Sequence, residues 1–272
     1  MATESGTLET NGARIYYEAD GVGDPIVMVH AGVANLRMWD EQVAALRDFY
    51  RVIRYDTRGF GRTETDAVEF SNRADIAALL DHLDARSAHV VGLSRGGQIA
   101  LDFAIEYPDR VRSLVVAAGG VGGYDAGDEA PDGWEQVEAW TAAHDWDRVA
   151  EWETAYWADG PGQPSDRVDP AIRAKVHEWI LTTYQAEKEE GQPQPLDPPA
   201  AGRLGELRVP LLVMLGTLDD PGTSASMRHL AQSVPGARLE VFDGSAHMLN
   251  LEQPDRFNAL LLEFLGEAAR TT

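Results

Sequence analysis

The chain has 272 residues, 23 Lys plus Arg against 45 Asp plus Glu, a formal charge of −22, and no cysteine. Such a charge repels phosphate backbones and anionic lipid, so nucleic-acid and membrane-surface roles are disfavoured. The missing cysteines exclude disulfides, Cys-ligated zinc, iron–sulfur clusters and thiol nucleophiles, and the length suits one large domain or one domain carrying an inserted lobe.

The opening residues 1–12 show neither a basic n-region nor an apolar h-region, so no secretory signal is expected. No run approaches the roughly 18 apolar residues of a membrane-spanning helix. The expectation is a cytoplasmic protein without membrane or nucleic-acid partners; a homo-oligomer is compatible with it. Residues 7–19 read as a hairpin that turns at Asn11-Gly12. A continuous apolar run then predicts a strand over 26–30, with further candidates over 51–55, 89–92 and 114–117, and later over 211–215 and 239–242. Between them Ile76, Leu79, Leu80 and Leu83 share one face of a helix over 74–83. A second helix over 98–107 ends before Pro108, and Phe257, Leu260, Leu261 and Phe264 line a terminal helix over 256–269. Strands alternating with helices imply a mostly parallel sheet with right-handed crossovers.

The alternation stops near Gly123. Residues 124–205 lack strand patterns and hold six of the seven tryptophans: Trp134, Trp140, Trp146, Trp152, Trp157 and Trp179. Val149, Trp152 and Tyr156 stand at i, i+3 and i+7, which suggests a buried helical stripe. The segment closes on a stiff Pro-rich connector, 191–199. We expect a helical insertion, 124–205, between a first core part, 1–123, and a second, 206–272.

Gly92-Leu93-Ser94-Arg95-Gly96 follows an apolar strand and opens a helix, the setting that a G-x-S-x-G nucleophile turn requires. A sharp strand-to-helix turn pushes the serine hydroxyl out of the sheet edge. Glycines two before and two after leave room for it, and the helix N-terminus aims free N–H groups at a reacting carbonyl. A serine hydroxyl needs a base. His247 falls in a loop between the last strand and the final helix, over the C-terminal edge of the sheet. His144, His177 and His229 sit in mostly polar helical contexts, and His82 and His89 read as surface or strand-entry residues. The imidazole needs a carboxylate, and Asp219-Asp220 follows the strand over 211–215. One of the two acids is expected to serve the histidine and the other to cap the helix near Thr223. No His-x-x-x-His, Walker or dinucleotide glycine pattern stands in strand-to-helix context, so no metal or cofactor is expected.

These residues make the chain resemble the α/β-hydrolase fold enzymes, in the branch of 3-oxoadipate enol-lactonases, cofactor-free haloperoxidases (perhydrolases) and small esterases. The matching stretches are His30-Ala31-Gly32, Met38-Trp39, the run from Tyr55-Asp56-Thr57-Arg58 to Arg62, the serine turn, the Asp219 loop, and His247 with Leu251-Glu252-Gln253-Pro254. The resemblance implies an α/β fold, a mostly parallel twisted sheet flanked by helices with an inserted helical cap. It makes Ser94 the nucleophile, His247 the base and Asp219 the acid, because Asp219 stands three residues after Gly216, and Asp220 precedes Pro221. The oxyanion donors would be the backbone N–H groups of Arg95 and Gly32. The implied reaction is hydrolysis of a small carboxylic ester or lactone through an acyl-enzyme. Perhydrolysis, carbon–carbon bond hydrolysis, a non-hydrolytic lyase or cyclase, and a small-molecule receptor are alternative uses of the same pocket.

The sequence departs from the family pattern twice. His30-Ala31 stands where relatives show His-Gly, and Arg95 stands where many carry an apolar or aromatic residue. A cation in the first turn of a helix opposes the dipole. Arg95 is therefore an expected substrate contact, together with Trp39 and Met248. His30 reads as a loop anchor, and Asp56 and Arg58 as hydrogen-bonding scaffold of their turn.

Overall fold

A computed structural model describes residues 4–127 and 131–271. Strands β1 (Glu4–Thr10) and β2 (Ala13–Asp20) form the hairpin expected from Asn11-Gly12. Both turn residues have positive φ, 31° and 69°, as a two-residue primed turn requires. Six strands follow: β3 (Asp24–Val29), β4 (Tyr50–Tyr55), β5 (Ala88–Leu93), β6 (Val111–Ala117), β7 (Leu211–Gly216) and β8 (Arg238–Phe242). The sheet runs β1-β2-β4-β3-β5-β6-β7-β8; β3 to β8 are parallel to one another, and the hairpin joins them through an antiparallel pairing of β2 with β4. Short Glu64–Thr65 adds to the free side of β2.

Alternation along the strands sends side chains to two opposite faces. Val27, Val29, Val90, Val116 and Val213 pack with helices α2 (Asn72–His82), α3 (Arg95–Glu106) and α7 (Pro221–Ser233). Ile26, Met28, Val91, Leu93 and Met214 pack instead with α1 (Asp40–Leu46) and α9 (Pro254–Thr271). The sheet is thus covered on both sides, which is why its strands read as continuous apolar runs. Helices α2, α3 and α9 begin earlier than their apolar period suggests. The first turn of α3 is glycine-rich and α9 starts on Pro254, a residue suited to the first helical position.

Between β6 and β7 the chain leaves the sheet and forms α4 (Trp134–Ala142), α5 (Trp146–Thr154) and α6 (Pro170–Ala186), with short α8 (Leu249–Glu252) standing later, before α9. A π-helical turn, Ala155–Asp159, continues α5. It breaks the period behind the expected stripe: Val149 is fully buried, whereas Trp152 and Tyr156 are half-buried and stack on each other. The Pro-rich connector is not free of strand. Gln192–Pro193 pairs with Glu69–Phe70, because the N–H groups of Gln192 and Gln194 reach the carbonyls of Val68 and Phe70 at 2.8 and 2.7 Å, and Pro193 between them has no N–H to leave unpaired.

Candidate active site

Ser94 sits between β5 and α3 with φ 58° and ψ −124°. That is a region from which a Cβ normally excludes the backbone, so the conformation survives only where its surroundings force it. Here they do. The Ser94 N–H donates to the Ala117 carbonyl of β6 at 2.9 Å. A Cβ on Gly92 would lie 2.1 Å from the Gly96 carbonyl oxygen, and one on Gly96 would lie 2.2 Å from that of Val29. Both clashes are with backbone, so neither glycine can be replaced without opening the turn.

His247 and Asp219, expected as base and acid, come from the loops after β8 and β7. His247 Nδ1 lies 2.8 Å from Asp219 Oδ1, and both side chains are almost wholly buried. A carboxylate only accepts, so Nδ1 carries the proton and Nε2 keeps its lone pair. The Asp220 N–H donates to the same Asp219 oxygen at 2.8 Å. The neighbouring acid is engaged elsewhere. Asp220 Oδ1 accepts from the Thr223 N–H at 2.9 Å and caps α7, while Oδ2 accepts from the Tyr156 hydroxyl. A backbone turn between adjacent acids therefore separates a partner for histidine from a helix cap.

Ser94, His247, Arg95, Trp157, Tyr124 and Asp220 line one cavity of about 460 Å³. Trp157, from the π-helical turn, sets its ring 4.5 Å from the imidazole, centre to centre. Nothing in the sequence singled it out from the other tryptophans. Two expected contacts are corrected. Trp39 and Met248 are both fully buried in the layer under α9, with Trp39 against Phe257, and neither lines this cavity. Their apolar side chains complete the core, which a sequence match to a loop motif does not distinguish from pocket lining. Arg95 does line the cavity, yet its guanidinium turns toward the β4 loop, where Nη1 donates to Thr57 Oγ1 at 2.8 Å and the group covers the Phe60 ring. Burial lowers the pKa of this cation.

Gly32 stands beside the aliphatic part of Arg95: its ideal Cβ would meet Arg95 Cδ and Cβ at 3.5 and 3.6 Å. His30 is fully buried, and burial pushes its pKa down to about 3, so the ring is neutral. It bonds within its own loop and to Thr57 and faces no reacting group. Asp56 and Arg58 act as scaffold. Asp56 accepts from the N–H groups of Leu36 and Arg62 at 2.9 and 2.8 Å, and Arg58 pairs with Asp75 at 2.8 Å.

Side chains near and far in sequence hold the His247 loop. Glu252 accepts from the Ala246 N–H at 2.9 Å and pairs with Arg167 at 2.6 Å. Arg167 also donates to the carbonyls of Ala158 and Gly244, both at 2.8 Å. One guanidinium thus joins the π-helical turn to the loop that carries the base. Burial raises the Glu252 pKa, while Arg167 and the Ala246 N–H pull it back. Gln253 adds a bond to Ser245 Oγ at 2.7 Å. The run Leu251-Glu252-Gln253-Pro254 had pointed to two of these residues, but Arg167 carried no signal. Among the described residues, no group of three or more His, Asp or Glu could hold a metal, and no helix is long and apolar enough to cross a membrane.

A family model for the α/β hydrolase fold matches residues 24–254. The 3-oxoadipate enol-lactonase 2 of Acinetobacter baylyi is 30% identical over 267 residues, spanning 93% of this chain and 93% of that one. A 2-hydroxy-6-oxononadienedioate/2-hydroxy-6-oxononatrienedioate hydrolase of Paraburkholderia phymatum is 27% identical, over 93% of this chain and 91% of its own. Among solved structures, the enol-lactonase from Burkholderia xenovorans LB400 superposes with a TM-score of 0.75 at 25% identity, covering 94% of this chain and 98% of that chain.

Proposed function

The chain belongs to the α/β hydrolase fold family, and from that premise we propose that it is a serine hydrolase that opens a small carboxylic ester or lactone through an acyl-enzyme. The observation that carries the reading is the strained Ser94 turn sharing one cavity with an imidazole whose Nδ1 is held 2.8 Å from a buried carboxylate.

In this reading Ser94 Oγ adds to the carbonyl carbon while His247 Nε2 takes the hydroxyl proton. The carbonyl electron pair moves onto oxygen, where the N–H groups of Arg95 and Gly32 hold it. Collapse breaks the bond to the leaving alkoxide, which departs with the proton from His247. Water then repeats the sequence: its proton goes to His247, its oxygen adds to the acyl carbon, and Ser94 leaves with the returned proton. Asp219 fixes the tautomer and stabilises the imidazolium in both halves. Residues 124–205 serve as a cap that encloses the substrate, with Trp157 against the base.

A fluorophosphonate probe is expected to label Ser94 and no other residue, by intact mass and peptide mapping. A panel of acyl esters and lactones of graded size is expected to be turned over by the wild type and not by Ser94→Ala. Native protein that stays unlabelled and inactive on the panel would overturn the reading.

A further inference from the structure

The side chain of Arg95 raises a physical question. Among the described residues no carboxylate lies within ion-pair distance of its guanidinium; Glu190 acts on it only at longer range. A half-buried cation without a counter-ion is costly, and this one also opposes the dipole of α3. Its polar bond is to Thr57, and Thr57 leads directly to the loop that carries Gly32.

The connections run in one direction. Arg95 Nη1 donates to Thr57 Oγ1 at 2.8 Å. The Thr57 N–H donates to His30 Nε2 at 3.0 Å, and the Thr57 hydroxyl lies 3.1 Å from the same nitrogen. Because a backbone N–H can only donate, Nε2 is an acceptor, and the neutral ring carries its proton on Nδ1. That proton goes to the Ala31 carbonyl, 2.7 Å away. Phe60 packs edge-on against the His30 ring at 5.2 Å and lies under the guanidinium, so the ring and the cation are held by the same aromatic. His30 and Thr57 are 0% and 1% exposed, so no water competes for these bonds.

The last bond has a consequence one residue on. The Ala31 carbonyl and the Gly32 N–H belong to a single planar trans peptide and point in opposite directions. Holding the oxygen on His30 turns the Gly32 N–H away from His30. Gly32 meanwhile lies against the side chain of Arg95, whose own N–H is the first free donor of α3.

We infer that Arg95, Thr57 and His30 form a positioning relay that orients the Gly32 amide as the second oxyanion donor. One residue then supplies the first donor from its backbone and aligns the second through its side chain. This gives the arginine beside Ser94 a role, and shows how a loop with His-Ala in place of His-Gly keeps a fixed peptide plane. The inference rests on the serine-hydrolase reading and adds to it the residues that set its oxyanion site.

The test uses Thr57→Val, which keeps the shape and the N–H but removes the hydroxyl, and Arg95→Met, which keeps the aliphatic contact with Gly32 but removes the donor. Both are measured on an ester that the wild type turns over, with active sites counted by fluorophosphonate titration. Phenylboronic acid serves as a tetrahedral mimic whose oxygen occupies the oxyanion site. Each variant is expected to lose on the order of tenfold in kcat, less than the 10²–10³ lost when a donor is deleted outright. KM should stay within twofold, boronate affinity should fall by a factor like that in kcat, and Thr57→Ser should return most of the loss. Unchanged kcat per titrated site in both variants, with turnover still dependent on Ser94, overturns the relay and leaves the serine-hydrolase reading intact. So does a drop in thermal midpoint without change in kcat or boronate affinity. A wild type without Ser94-dependent turnover overturns the functional reading and the relay together.

Discussion

The two halves of the site are built differently. The Ser94 turn is held by main chain: the Ala117 carbonyl takes its N–H, and the carbonyls of Val29 and Gly96 close on the glycines beside it. The His247 loop is held by side chains: Glu252, a few residues on, and Arg167, which arrives from far along the sequence. A main-chain cradle inside a parallel sheet has no alternative arrangement, whereas a clamp of charged side chains can be loosened without unfolding the core. Ser94 is therefore fixed by the fold, and His247 by the helical segment resting on its loop. The substitutions below press on that difference, from the largest expected effect to the smallest.

Replacing Asp219 by Asn keeps the bond to His247 but removes the charge that supports the imidazolium. The same change in serine proteases costs about 10⁴ in kcat, and a loss of that order is expected here with a nearly unchanged thermal midpoint. Asp220→Asn is expected to keep most of the turnover. An Asn oxygen still caps α7, since Asn and Asp are comparable N-caps, so only the bond from Tyr156 weakens and the thermal midpoint should fall little. Measuring kcat and melting for both separates the roles. If Asp220→Asn were the inactive variant, the acid facing His247 in solution would be its neighbour.

The clamp tests the comparison directly. Arg167 and Glu252 are 14% and 7% exposed in their side chains. Arg167→Met leaves a buried carboxylate unpaired, a change that costs about 3–5 kcal/mol at fully buried sites and somewhat less here because water reaches the arginine. It should also release the Ala158 and Gly244 carbonyls and let the base drift. A displacement of the order of 1 Å can cost up to ~10² in rate, and a fall of about tenfold in kcat is expected. Adding Glu252→Gln removes the stranded charge, so the double variant should regain thermal stability but not kcat. Recovery of both would show that the clamp supports folding alone and does not position His247.

What could be read from the sequence divides along the same line. The elbow was legible because it is local: a strand, a Gly-x-Ser-x-Gly turn and a helix are contiguous, and each residue type answers to a backbone constraint nearby. The parallel strands were legible because burial on both faces leaves short apolar runs, although Arg54 in β4 and Glu240 in the half-buried β8 interrupt them. The two acids were left open by composition alone, since either can cap a helix; only the resemblance preferred Asp219, and the structure brings that one to His247. Trp39 and Met248 misled because an apolar residue beside a catalytic motif can face the core as easily as the pocket. The clamp was invisible for the opposite reason. Arg167 meets Glu252 across 85 residues, and an isolated arginine in a polar stretch has no periodicity to betray its partner.

The elbow side also carries a burden that the base side could not. Asp102 lies on α3, 8% exposed, with Oδ1 buried and without a hydrogen-bond partner. Burial pushes its pKa up to about 6, with Glu106 adding to the rise and Arg73 and Arg203 opposing it. An unfolded aspartate titrates near ~3.9, so the folded state holds the proton more tightly. The stability this lends is present below about pH 4 and is lost as the pH climbs through about 6, so at pH 7 the ionised carboxylate works against the fold. Asp102→Asn is neutral at every pH and should remove that penalty, worth on the order of 1–2 kcal/mol after allowing for partial solvation, or a few degrees in thermal midpoint. The gain is expected at pH 7 and should shrink toward zero near pH 4. Turnover should not change at either pH if the main-chain cradle alone fixes Ser94. A gain of the same size at both pH values would remove the carboxylate's charge as the cause, and a loss of kcat at pH 7 would show that the cradle depends on the helix it opens more than its backbone contacts imply.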